Sequence, residues 1–187
     1  MVPLTHLWLP IILAAIVVFV ASALIHTVLK IHRADYQPLP NEPDVRAALN
    51  AGHVGAGQYM IPSCPDPKDM NTPEMVRKFE EGPVGLIVLR APGKISMGPF
   101  LMKWFIYVLV VSYVTAYVAS RTLAPGTSYL GVFRVVGTVA FLSYSAARVQ
   151  GAIWRGEPWS ATVRDMIDGL VYGLLTASVF GWLWPMT

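Results

Sequence analysis

Five polar side chains interrupt long apolar stretches of this sequence at comparable distances from one end of each stretch: His26, Lys103, Ser145, Arg148 and Asp168. A charge or strong hydrogen-bonding group inside an apolar stretch is costly unless it is paired or reaches the interface, so such residues are pointers to function. If the stretches are bundled helices, the five lie at similar depth on one side and form a polar cluster. Its chemistry would be proton-linked or anion-binding, with Asp168 the titrating group and Lys103 or Arg148 its counter-charge. The plainer reading has Lys103 and Arg148 reaching back to lipid headgroups, while Asp165 and Asp168 are helix-start charges at the positive end of a helix dipole.

Two further cations, Arg121 and Arg134, fall towards the opposite side, where the sequence offers no Asp or Glu. Lipid phosphates, the terminal carboxylate or a partner protein are the anions left to them. In the segment 31–97, His53 and Cys64 are of metal-ligating type, but no CxxC, HxxxH or HExxH spacing accompanies them, so no metal is expected. Walker, GxSxG and strand-led GxGxxG patterns are absent too, since the glycines of AGHVGAGQ do not open a helix. No catalytic residue and no cofactor can be named, and an enzyme has little to stand on.

The elements that must position these groups follow from composition. Of 187 residues 55% are hydrophobic and only 13% charged, about half the charged share of soluble domains. The apolar residues are clustered, and a span needs about 20 of them. Four blocks qualify, at 1–30, 100–120, 129–149 and 163–184, predicting an all-α membrane protein with four transmembrane helices. Ala124, Pro125 and Gly126 provide a tight turn between the second and third. Ser160 and Thr162 are candidate caps ahead of the fourth, which ends at Pro185. The first block also has the small residues Ala21, Ser22 and Ala23 of a cleavage site, but it lacks basic residues in front and carries Lys30 and Arg33 behind, the flanks of an uncleaved span.

Orientation follows from the 14 Lys and Arg residues, of which all but Arg121 and Arg134 fall beside 31–97 or the third-to-fourth connection. The positive-inside rule then predicts a bacterial inner (plasma) membrane protein with both termini periplasmic and the 31–97 loop domain cytoplasmic. Without a basic run, the net charge of +3 reflects this topology and not nucleic acid. Within the loop, Asn41 to Gly52 and Thr72 to Gly82 read as short capped helices, and 59–61 with 84–89 as a possible β-hairpin.

Small residues make a second pattern. Gly169, Gly173, Ala177 and Gly181 recur at every fourth position of the last block, a stripe that lets another helix approach closely. It serves either packing within the bundle or docking on another membrane protein or a second copy.

The stretches HLWLPIILAAIVVFVASALIH, GQYMIP, EGPVG, FRVVGTVAFL and IWRGEPW resemble a group of small bacterial inner-membrane proteins of unassigned role. The resemblance covers most of the chain and implies the membrane class, but no activity or site residue. The function expected from the sequence is a non-enzymatic accessory or scaffold protein that docks on a larger complex among membrane lipids. The alternative is a small transport or anionic-ligand-binding protein that uses the polar cluster.

The single cysteine, Cys64, tests the orientation. It is expected to resist a membrane-impermeant thiol reagent in intact cells and to react once the inner membrane is opened. Reaction with the membrane intact would reverse the assignment.

Overall fold

The computed structural model describes residues 1–187 and divides the chain into two compact units, Met1–Tyr36 with Ser96–Thr187, and Gln37–Ile95. Four long helices make up most of the first: α1 (Trp8–Leu24), α4 (Gly98–Thr122), α5 (Tyr129–Arg155) and α6 (Trp159–Trp182), with α2 (Glu42–Ala51) and α3 (Pro73–Glu81) in the second unit. The stretches Leu4–Leu29, Gly98–Thr122 and Tyr129–Arg155 are long and apolar enough to cross a membrane. At most 28% of the apolar window in any of the three is buried in the protein. Ile12, Ile16, Val110, Val114 and Leu142 therefore stand on outward faces that are costly in water and suit lipid.

The expected four spans thus reduce to three on length and apolarity alone. With 24 residues α6 is long enough, but its first half carries Arg164, Asp165 and Asp168, which breaks the apolar run that would mark it as a span.

Close packing of α5 on α6 comes from the small residues. A Cβ added at Gly173 would lie 3.1 Å from the Phe141 backbone nitrogen and 3.3 Å from the Gly137 carbonyl oxygen, and one at Gly181 would sit 2.7 Å from the Tyr129 ring. At Gly169 it would collide with Ser145 Oγ, and the Ala177 Cβ lies 3.3 Å from the Cβ position of Gly137. The whole stripe thus lies against α5 of the same chain. Such contact matters because lipid provides no hydrophobic drive for helices to associate, so dispersion across a close interface must do so.

Two apolar clusters fill the bundle. One includes Leu7, Val132, Val136 and Phe180, the other Val18, Val108 and Tyr172. Beyond the first, the α4–α5 turn is fastened to the chain end: Trp184 Nε1 donates to the Ala124 carbonyl at 3.0 Å, and Gly126, at φ 73°, donates its N–H to the Pro185 carbonyl at 2.9 Å.

The second unit is built on a two-stranded antiparallel sheet, β1 (Gly57–Ile61) with β2 (Gly85–Leu89), in which Tyr59 faces Ile87. Helix α2 (Glu42–Ala51) precedes it and α3 (Pro73–Glu81) lies between the strands. Thr72 Oγ1 accepts from the Met75 N–H at 3.4 Å, Pro73 occupies the first turn, and Gly82 at φ 62° ends the helix.

Gly173→Leu is expected to lower the stability of the detergent-solubilised protein by about 3 kcal/mol or more, through overpacking against a backbone that cannot yield. Leu174→Phe, on the exposed neighbour, is expected to stay within about 0.5 kcal/mol of the parent. Thermal unfolding of the two variants side by side checks this.

Candidate functional site

Past Leu24 the first helix widens into a single π-helical turn, Ile25–Leu29, and Lys30 then takes the left-handed conformation at φ 54°. That residue reverses the chain. A short 3₁₀ turn, Ile31–Asp35, folds back against α6 and brings His32 and Asp35 to the start of that helix, next to Asp165 and Asp168. The turn-forming residues thus create a site shared between segments 136 positions apart.

Its centre is Asp168, whose residue is only 7% exposed. Asp168 Oδ2 lies 2.9 Å from His32 Nε2 and 3.7 Å from His26 Nε2. The other His32 nitrogen, Nδ1, is 2.6 Å from Asp35 Oδ2. The two imidazole rings stack in parallel with centroids 4.6 Å apart. His26 Nδ1 lies 3.0 Å from the Ser22 carbonyl oxygen; a carbonyl can only accept, so Nδ1 carries the proton and Nε2 is left facing Asp168.

The charges around this centre are sorted. Arg164 pairs with Asp35 and Arg148 with Asp165; Arg148 and Arg155 also approach Glu157, at 3.8 and 3.7 Å. Asp168 has no Lys or Arg partner. Its charge is answered only by histidine, and His32 can satisfy two carboxylates at once only by donating from both nitrogens. Burial by itself would lower the His32 pKa and is the largest single cause, but the hydrogen bonds to Asp35 and Asp168 and the charges of both outweigh it and raise the pKa above its ordinary value.

Beside the cluster, between the long helices, is a cavity of about 560 Å³. Phe19, Trp104, Tyr107, Tyr144 and Tyr172 form its aromatic walls, with His26, Arg148, Asp165 and Asp168 among its polar lining. Ser22 Oγ fixes one wall by accepting from Trp104 Nε1 at 2.8 Å while donating to the Phe19 carbonyl. Tyr107 donates to the Ser143 carbonyl at 2.9 Å. The hydroxyls of Tyr144 and Tyr172 are buried and have no partner in the protein. A second cavity, about 260 Å³, borders the cluster at His26, Thr27, Lys30, His32 and Arg33.

Of the five residues singled out by sequence, His26 and Asp168 meet in the cluster. Arg148 lines the cavity but is bound to Asp165, so the expectation that Arg148 or Lys103 answers Asp168 is corrected: His32 does. Lys103 is exposed, makes no ion pair and lies outside the cavity. Ser145 is buried and donates to the Met166 carbonyl at 3.5 Å, a packing position opposite Gly169. At the far end, Arg121 lies over the Tyr117 ring at 5.6 Å, and Arg134 is exposed without a carboxylate partner. In the other unit, Cys64 Sγ donates to the Asp66 carbonyl at 3.1 Å. Neither Cys64 nor His53 belongs to a group of three metal-capable side chains, whereas His26, His32 and Asp168 form one, with ligand atoms all within 4.8 Å of one another.

His32, Asp35 and Arg164 were not found from sequence. A histidine and an aspartate three residues apart just after a span were the available signal, but without the reversal at Lys30 they read as headgroup-facing polar residues.

No family model, curated protein or solved structure matches the chain.

Burial separates the two arginine pairs. Asp35 is 9% exposed at its side chain, whereas Arg148 is 48% exposed. Arg164→Gln is expected to cost about 3 kcal/mol because it leaves the buried Asp35 carboxylate with only the imidazole it shares with Asp168, and Arg148→Gln about 1 kcal/mol or less. Denaturation of both variants in one detergent checks the order.

Proposed function

We propose that this protein binds a small lipid-soluble molecule inside its helical bundle, held by the aromatic cavity and recognised through a neutral oxygen acceptor such as a carbonyl. The observation that carries this reading is the pair of buried, unpartnered hydroxyls on Tyr144 and Tyr172, two tyrosines whose side chains line that cavity. A buried phenol without a partner costs about 1–3 kcal/mol, and a ligand oxygen accepting from it removes that cost. The volume, about 560 Å³, falls within the range of small-molecule sites, about 300–1,000 Å³, and the aromatic lining suits an apolar body.

Charge selects the head. Arg148 in the lining is already paired with Asp165, and Asp168 with His32, so the lining leaves no free Lys or Arg to hold an anionic group. This favours a neutral acceptor over the anionic ligand suggested by the sequence. The accessory-protein reading drew on the small-residue stripe, which is occupied by α5.

The setting belongs to the same proposal. We place the protein in a bacterial inner membrane with α6 as a fourth span and the second unit on the cytoplasmic side, because twelve of the fourteen Lys and Arg residues fall beside the two connections on that side. The helix start with Asp165 and Asp168 then lies near the inner interface.

Removing the two hydroxyls separates binding from folding. Tyr144→Phe with Tyr172→Phe is expected to leave thermal stability unchanged or slightly higher, because no internal hydrogen bond is lost. An apolar molecule present in the organic extract of the purified parent protein is expected to be depleted at least several-fold in the variant, as read by mass spectrometry. Equal recovery from both proteins, or no such molecule in the parent extract, would overturn the reading.

A further inference from the structure

His26, His32 and Asp168 have the attributes of a metal site, and we propose that they bind a divalent first-row transition ion. Three observations support it independently of the cavity's ligand. The first is spacing. Ligands about 2.0–2.1 Å from a common ion are separated by about 2.9–3.4 Å in octahedral or tetrahedral arrangements. The distances from Asp168 Oδ2 to His32 Nε2 and His26 Nε2, 2.9 and 3.7 Å, bracket that range. The His26 ring stacks parallel on that of His32 and must turn out of the stack to bring its Nε2 to a shared ion; its side chain, about half exposed, has room to do so.

The second observation is what lies behind the ligands. A metal-bound imidazole commonly gives its other N–H to a carboxylate or a backbone carbonyl, which fixes the tautomer and aims the ligating nitrogen. Both histidines have that arrangement here, His32 Nδ1 on Asp35 at 2.6 Å and His26 Nδ1 on the Ser22 carbonyl at 3.0 Å. Arg164 in turn holds Asp35. Two histidines with independent orienting acceptors, both presenting Nε2 to one carboxylate, are more than three polar groups sharing a surface.

Access is the third. The cavity bordered by His26 and His32 gives an ion a route to the site, and the aromatic cavity bordered by His26 and Asp168 leaves coordination positions facing it. Two imidazole nitrogens and one carboxylate oxygen suit zinc, iron, cobalt or nickel, and disfavour magnesium or calcium, which take oxygen ligands. The ion takes the place of the Nε2 proton through which His32 otherwise answers Asp168, and that proton is released to solvent on binding.

Cobalt(II) added to the full-length, chelator-treated protein in mild detergent is the probe. One equivalent per chain is expected to bind with a visible spectrum distinct from the aqueous ion. His26→Ala, at a side chain about half exposed, and Asp35→Asn, which removes the orienting carboxylate, are each expected to weaken binding about tenfold or more. His32→Ala should abolish the spectrum, and the other two variants decide the matter if it fails to fold. Replacing both His53 and Cys64 with alanine is expected to change nothing. The proposal is overturned if no distinct spectrum forms, if His26→Ala and Asp35→Asn bind as tightly as the parent, or if the His53 and Cys64 replacements remove the signal. Cobalt titration does not read the cavity's ligand, so it can succeed or fail independently of the Tyr144 and Tyr172 experiment.

Discussion

A carboxylate buried in a bundle without Lys or Arg must have its charge answered by something else, and much of this structure is arranged around that requirement at Asp168. The answer comes from the end of the first helix. To deliver it the chain widens at Ile25–Leu29, reverses at Lys30 and lays a short turn along α6. The reversal also carries in Asp35, whose own charge recruits Arg164. The arrangement is nested: one buried charge calls in a histidine, the histidine is oriented by a second carboxylate, and an arginine neutralises that carboxylate. Each addition satisfies the group before it, as low-dielectric surroundings demand.

A different constraint governs the middle of the bundle. There α5 and α6 meet through Gly137, Gly169, Gly173 and Ala177 at near-backbone contact. The tight seam on one side and the large aromatic side chains on the other leave volume between the helices, and the cavity occupies it. Trp104, Tyr107, Tyr144 and Tyr172 contact one another at ring-centroid distances of 5.4–6.1 Å around that space. Rings held by their neighbours resist collapse into the void, as the Trp104 hydrogen bond to Ser22 Oγ shows most directly.

How much of this was legible in the sequence depended on whether a feature is local. Apolar block length and the Ala124, Pro125 and Gly126 turn are local properties, and the long helices and the α4–α5 hairpin were readable from them. Thr72, Pro73 and Gly82 likewise delimit α3, and strand-rich composition marked the segments that pair as β1 and β2. His26 and Asp168 could be singled out because polar residues inside apolar blocks are conspicuous. Their true partner could not, since His32 reaches Asp168 only through a left-handed residue at Lys30, and a lysine gives no warning of that conformation as glycine would. Treating each cation as a potential partner for each anion favoured Lys103 and Arg148, of which the first is exposed and makes no ion pair and the second is taken by Asp165. Whether the glycine stripe met α5 or another protein was equally beyond sequence, because spacing defines a face and not its occupant.

The 136 residues between His32 and Asp168 bear on how the protein is made. A helix carrying Arg164, Asp165 and Asp168 in its first half is a poor substrate for insertion by itself, since charges carried towards hydrocarbon are costly unless paired or able to reach the interface. The groups that relieve this cost, His32, Asp35 and Arg148, belong to the first and third of the long helices and their extensions, all synthesised earlier. In the four-span arrangement the last helix can therefore enter the bilayer most readily as a companion, docking on elements already in place. If α6 crosses the bilayer as proposed, the order of synthesis and the order of charge compensation coincide, and its insertion would draw on the amino-terminal end already in place.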